Sequence, residues 1–249
     1  TRSYSLTGVQ TCALPIFGDL DLSVIKNLPQ GRKKILTKVV PPNKRQAAYR
    51  FIAAEVRAGR QVFVICPLIE ESDKLGVKSV TVEYEKLKKE IFPELTLGLM
   101  HGKLKREDKE KIMADFAANK INILVSTSVV EVGIDVPNAT VMMIEGADRF
   151  GLAQLHQFRG RVGRGDHQSY CFLFTDSKSE KTAERLAALE RTSDGFLLAK
   201  KDLEQRGPGE IYGRRQSGLP DLKMASLLDA RQIKLAREEA ESFLDRKST

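Results

Sequence analysis

Tryptophan is absent from this 249-residue chain, and aromatic rings are few: five Tyr and eleven Phe. Side chains on which bases could stack are therefore scarce, which argues against base-reading recognition. Cysteine is rarer still. Cys12, Cys66 and Cys171 are an odd number without zinc-ligand spacing, which excludes a disulfide framework. The last two lie in apolar runs where a thiol fits as a small hydrophobe. No apolar stretch approaches the roughly 20 residues of a membrane span. The first residues lack the basic-then-apolar layout of a secretory signal. A globular protein of a reducing cytosol is expected, and 41% hydrophobic residues are enough for a sizeable core.

What is present in excess is positive charge. Lys and Arg number 41 against 33 acids, a formal net charge of +8, which favours a polyanion through counterion release. With so few rings, sugar-phosphate is the expected target and sequence-specific DNA reading is not. The most pointed cationic stretch is the arginine loop His156-Gln157-Phe158-Arg159-Gly160-Arg161-Val162-Gly163-Arg164-Gly165. Arg161 and Arg164 each follow a glycine, so their forked cations can approach phosphate oxygens while the backbone stays unobstructed. Alone, this pattern fits a solvated basic loop equally well. Upstream stands Ile123-Leu124-Val125-Ser126-Thr127-Ser128, then Val132-Gly133-Ile134-Asp135-Val136-Pro137-Asn138.

Apolar runs and helical periodicity alternate along the chain. Strands are expected at 34–40, 62–66, 95–100, 121–125, 139–144 and 168–174. Helices are expected from about residue 44 to a stop at Gly59, and over 79–92 and 105–118. Strands alternating with helices predict an α/β fold: a parallel sheet with helices on both faces. Ligands of such sheets bind at the carboxyl ends of strands, which makes His101 and Lys103 candidates for DNA phosphate, with a tight turn and a solvated Lys as the plain alternative. Thr127 and Ser128 are expected just past a strand end, as phosphate contacts or as helix caps. Helices at 176–191 and 196–205 read as a hairpin, followed by a Gly/Pro-rich loop over 206–218 and a last helix over 222–244.

The Ser-Thr, Gly-Ile-Asp and Pro-Asn elements followed by Gln-x-x-Gly-Arg-x-Gly-Arg resemble motifs V and VI of superfamily 2 helicases. Asp194-Gly195-Phe196, the run Asp202 to Glu210 and Arg214-Arg215-Gln216-Ser217-Gly218 are similar to a translocation segment shared by the RecG family and the transcription-repair coupling factor. Phe17 to Asp21 and Leu28 to Arg32 favour RecG. The resemblance implies a RecA-like, P-loop NTPase-like helicase C-terminal domain over 17–176. A helical hairpin, loop and C-terminal helix would follow over 177–249, and residues 1–16 would be foreign sequence.

The resemblance also implies roles. Arg161 and Arg164 would contact the γ-phosphate of ATP, Gln157 would orient the site, and Gly133 and Asp135 would line the nucleotide. Thr127, Ser128, His101 and Lys103 would face DNA, while Arg185, Arg206 and Gln216 would serve translocation. Neither a Gly-x-x-x-x-Gly-Lys-Ser/Thr loop nor an Asp-Glu box occurs in the chain, and no metal-ligand set is expected. ATP with Mg would be bound mainly by a first motor domain, present in cis together with a wedge domain. The implied partners are double-stranded and branched DNA, forks and Holliday junctions, handled by a monomer in the bacterial cytosol and nucleoid. Two rival readings are the same motor half of a coupling factor and a non-catalytic nucleic-acid-binding module.

Overall fold

In a computed structural model of the chain, the described residues are 33–67, 77–127, 136–206 and Glu239. Six strands, β1 (Leu36–Val40), β2 (Gln61–Cys66), β3 (Leu97–Met100), β4 (Ile123–Thr127), β5 (Ala139–Ile144) and β6 (Tyr170–Phe174), form one sheet in the order β1-β6-β5-β2-β4-β3. Every pairing is parallel. The three central strands, β5, β2 and β4, are buried at every position. That is why their sequences are mostly apolar and lack the regular polar alternation of a half-exposed strand.

Helices α1 (Arg45–Arg57), α2 (Val77–Lys86), α3 (Arg106–Ala117), α4 (Leu152–Arg159) and α5 (Glu180–Arg191) accompany the sheet. On one face Ala48, Tyr49, Ile52 and Val56 of α1 and Val80 of α2 pack with Val62, Val64, Val125 and Met143. On the other, Phe63 meets Phe116 of α3 with ring centroids 4.9 Å apart. Neighbouring residues of one strand thus serve opposite layers, as the period of two requires. α2 continues as a π-helical turn, Leu87–Ile91, so the helix expected over 79–92 changes its winding before it ends. α1 closes just before Gly59, and α3 closes at Asn119, whose φ of 58° is the left-handed conformation Asn tolerates.

β1 is an edge strand, and its exposed backbone is partly covered: the Val39 amide donates to Glu190 Oε1 of α5 at 2.6 Å. Residues 27–193 form one compact unit, which includes α5. Helix α6 (Gly195–Arg206) belongs to the other unit and is described by itself. Its start is capped by Asp194, whose carboxylate accepts from the Leu197 amide at 3.2 Å; an acceptor with negative charge suits that end of a helix. The loop expected over 206–218 lies outside the described residues beyond Arg206. So do nearly all of the final helix, the segment 1–16, and the matches at Phe17–Asp21 and Leu28–Arg32.

Candidate functional site

Because the strands all run one way, each residue following a strand lies on one edge of the sheet and each preceding a strand lies on the other. His101 and Lys103 follow β3, Thr127 ends β4, and Glu145 follows β5, so these share the carboxyl edge. α4 then returns across the sheet, and residues 160–169, which lead into β6, lie on the amino edge beside Pro137 and Asn138, which lead into β5. Strands of about five residues at ~3.3 Å each separate the two edges by roughly 17 Å. The arginine loop and the carboxyl-edge residues are therefore two surfaces, and the carboxyl-end rule that drew attention to His101 does not extend to Arg161 and Arg164.

The loop is held by what its glycines permit. Gly163 has a φ of 79°, and a Cβ there would meet Ile35 Cγ1 at 3.1 Å; at Gly165 a Cβ would stand 2.9 Å from the Pro137 carbonyl oxygen. The loop therefore lies directly on the backbone at the end of the motif V-like stretch, an approach only glycine allows. Val162 points inward and is fully buried, while Arg161 and Arg164 on either side of it are exposed. Among the described residues the Arg161 side chain makes no hydrogen bond or ion pair. The two cations stand on a fixed backbone at the protein surface.

Arg159, in the same stretch, is of a different kind. It is 4% exposed. Its Nη1 donates to the carbonyls of Leu189 at 2.7 Å and Thr192 at 3.0 Å, and its Nη2 donates to His156 Nδ1 at 2.8 Å. Leu189 is in the last turn of α5 and Thr192 caps it, where carbonyls lack intrahelical partners. Burial lowers the pKa of the guanidinium from its usual value, yet the donors are used. The signal was present in the sequence: Leu152, Leu155 and Arg159 fall at i, i+3 and i+7, one face of a helix. That helix was not expected, because only eight residues long and weakly amphipathic, it reads as a continuation of the loop.

Arg185 of α5 reaches back toward the start of α4. Its Nη1 donates to the Phe150 carbonyl at 2.5 Å and its Nη2 to the Asp148 carbonyl at 2.6 Å, while Thr175 Oγ1 donates to the Asp148 carboxylate at 2.7 Å. α4 is thus tied to α5 near both of its ends. Arg45, at the start of α1, is another residue the sequence did not mark. It donates to both Glu145 carboxylate oxygens at 2.9 and 2.7 Å and to Asp176 Oδ1 at 3.0 Å, and its guanidinium lies 5.1 Å from the Phe174 ring centroid. Burial pulls its pKa down, but the Glu145 carboxylate pulls it up further, and the net is a rise. The fork fixes the turn between β5 and α4.

The other expected residues are distributed as follows. Thr127 is not past the strand but is its last residue and is 1% exposed; the strand runs two residues beyond the expected 121–125 because Ser126 and Thr127 still pair with β2. His101 is half-buried and Lys103 exposed, and Gln157 is half-buried on α4. Ser128, Gly133, Asp135 and Gln216 lie outside the described residues. Arg206 ends α6, and its side chain is likewise outside them. Among the described residues no group of three His, Cys, Asp or Glu could hold a metal ion, and no helix is long and apolar enough to cross a membrane.

A parallel six-stranded sheet with a Gly-Arg loop on one edge and polar groups on the other has the architecture of a helicase C-terminal motor domain. Residues 43–166 match the model of the helicase conserved C-terminal domain, and residues 192–249 match that of the ATP-dependent DNA helicase RecG, domain 3, C-terminal. The chain belongs to the RecG family. It is 51% identical to the ATP-dependent DNA helicase RecG of Synechocystis sp., over 94% of this chain and 28% of that protein. To the Bacillus subtilis RecG it is 49% identical, over 94% of this chain and 35% of that protein. It also superposes on a structure of RecG bound to a three-way DNA junction, with a TM-score of 0.71 and 47% identity, covering 91% of this chain and 29% of that one. The RNA-bound Mss116p structure, at TM-score 0.51 and 21% identity over 68% of this chain and 33% of that one, shares the fold. The chain spans about a third of the length of the curated relatives it matches. The domain 3 match favours RecG over the coupling factor.

Proposed function

We propose that this chain supplies the second motor domain and translocation segment of an ATP-dependent helicase that moves on double-stranded DNA and remodels forks, Holliday junctions and other branched intermediates in repair and recombination. The observation that carries this reading is the division of labour among the arginines of one stretch. Arg161 and Arg164 are displayed on a fixed surface loop, while Arg159, just before them, is buried in the backbone of α5. The cations that would sense nucleotide and the helix that leads toward the translocation segment thus share one support.

ATP with Mg fits these residues on its phosphate side only: the loop offers two guanidiniums and the described residues offer no Mg ligand set. A first motor domain in cis would hold the metal and most of the nucleotide. In that arrangement Arg161 and Arg164 enter the γ-phosphate region from across the cleft, where a positioned Arg stabilises the charge of phosphoryl transfer. Gln157 orients the site, and Gly133 and Asp135 line the sugar side. On the opposite edge Lys103 and His101 grip DNA phosphates without reading bases, a role Ser128 is proposed to share, whereas Thr127, at 1% exposure, ends β4 and does not reach DNA.

Residues 17–176 act as the motor and 177–249 as the translocation segment, with Arg185, Arg206 and Gln216 transmitting the closing of the cleft. The ties from α5 to Asp148 and Phe150 and from Arg159 to Leu189 and Thr192 support such a link. The complete protein is proposed to work as a monomer on nucleoid DNA in the bacterial cytosol. The test is DNA-stimulated ATP turnover of the complete protein. Arg164→Ala is expected to lower it on the order of a hundredfold or more, and this chain alone is expected to turn over negligible ATP. Undiminished turnover by Arg164→Ala would remove Arg164 from the assignment.

A further inference from the structure

Arg60 stands on the amino edge between α1 and β2, its backbone amide bonded to the Glu55 carbonyl at 3.0 Å. Its Nη2 lies 2.9 Å from His167 Nδ1 and its Nη1 lies 3.5 Å from Asn138 Oδ1. Both neighbours matter to the arginine loop. His167 is on the loop, three residues beyond Arg164, and Asn138 follows Pro137, the residue on which Gly165 rests. Asn138 is held in turn: its Nδ2 donates to the Gly59 carbonyl at 2.7 Å and to Gln61 Oε1 at 3.3 Å, and its carbonyl accepts from the Gln61 amide at 3.0 Å. Gln61 is fully buried, with its Nε2 bonded to the carbonyls of Phe116 and Ile121 at 2.5 and 2.8 Å.

We propose that Arg60 is a positioning residue for Arg164, bridging the rigid β2–β5 frame to the arginine loop through His167. The inference rests on the assignment of Arg164 to the γ-phosphate. The loop is pinned before Arg164 by buried Val162 and after it by Gly165 on Pro137 and His167 on Arg60. Arg164 is the exposed residue between these points, so the reach of its side chain depends on them. Since a guanidinium only donates, the contact requires His167 Nδ1 to accept, with the ring proton on Nε2. His167 is exposed, so the contact contributes little to folding; its effect is on where the loop lies.

The experiment uses a complete helicase carrying this chain as its C-terminal part, with His167→Ala, Arg60→Ala, the double variant and Arg60→Lys. Each single alanine variant is expected to lower DNA-stimulated kcat about tenfold, the scale on which displaced catalytic groups act. The double variant is expected to be no worse than either single, because the two residues act as a unit. Affinity for ADP and for branched DNA stays within about twofold, affinity for ADP with aluminium fluoride falls, and Arg60→Lys restores part of kcat. His167→Ala, at an exposed position, keeps its melting temperature.

Full kcat in His167→Ala overturns the proposal, and so do losses that multiply in the double variant or that follow lost folding or DNA affinity. Arg164→Ala separates the two levels of inference. If it abolishes turnover while His167→Ala does not change it, only the positioning role fails. If Arg164→Ala itself keeps turnover, the phosphate assignment fails and this proposal fails with it.

Discussion

Replacing Arg159 by methionine keeps an unbranched side chain in the buried channel and removes the guanidinium. Two carbonyls, Leu189 O and Thr192 O, lose the guanidinium donors at 2.7 and 3.0 Å, and His156 Nδ1 loses its contact at 2.8 Å. The Leu189 carbonyl cannot recover a helical partner, because α5 ends at Arg191. A buried acceptor left without a donor costs about 1–3 kcal/mol. The Leu189 acceptor is buried and the Thr192 acceptor part-buried, so together, offset in part by no longer burying a charge, they give a loss of roughly 2–3 kcal/mol. That is a large share of the about 5–15 kcal/mol that holds a domain together. Urea denaturation of the chain is the assay, with the midpoint shift read at unchanged slope so that it reports stability. Arg159→Lys is expected to recover part of the loss, since one ammonium can reach carbonyl oxygen but cannot fork to His156 as well. A loss below about 1 kcal/mol for Arg159→Met would mean that these carbonyls find other donors or are never desolvated, and that Arg159 does not hold α4 to α5.

Arg45→Ala leaves the part-buried Glu145 carboxylate without its bidentate partner and is expected to cost about 2–3 kcal/mol by the same assay, between the values for exposed and buried pairs; Asp176→Ala, on the exposed arm of the network, is expected to cost little. Burial pushes the Cys171 thiol up to about 12 and the Cys66 thiol well above its ordinary 9.0. Iodoacetamide at pH 8 followed by peptide mapping is therefore expected to leave both unmodified in the native chain and to label both in urea. The sign for stability follows: each raised thiol pKa supports the fold fully below about pH 9, and for Cys171 that support is lost as pH rises from 9 toward 12.

The sheet was legible because the central strands are buried on both faces, and 62–66 and 139–144 carry no polar alternation that could be confused with a surface helix. The ends of elements were less so. Thr127 reads as a phosphate contact or helix cap past a strand end at 125, yet it and Ser126 are buried and extend β4, because parallel pairing to Ile65 and Cys66 continues through them. Gln61 reads as a polar residue before a strand but opens β2 with its amide bonded inside the fold. Arg161 and Arg164 were visible through the glycines before them. Arg159, Arg45 and Arg60 were not, since their long-range partners lie 30 to 131 residues away in sequence and are brought close only by the crossovers of the sheet.

Those hidden arginines complete the physical account. Arg161 and Arg164 are exposed at the amino edge, whereas Arg159 holds backbone carbonyls, Arg45 holds acids, and Arg60 holds the His167 ring and the Asn138 amide oxygen. A charge that acts on a substrate must be preorganised by groups that do not move with it, and here the groups that hold the loop are themselves hydrogen-bonded to the sheet.

The most direct test of the phosphate assignment is a crystal structure of the complete enzyme with branched DNA and ADP–aluminium fluoride. The guanidiniums of Arg161 and Arg164 are expected at charge-assisted hydrogen-bond distance, about 2.7–3.1 Å, from the fluorides or from β-phosphate oxygens. Both guanidiniums turned to solvent or to DNA, with the nucleotide enclosed by the first motor domain alone, would contradict that assignment.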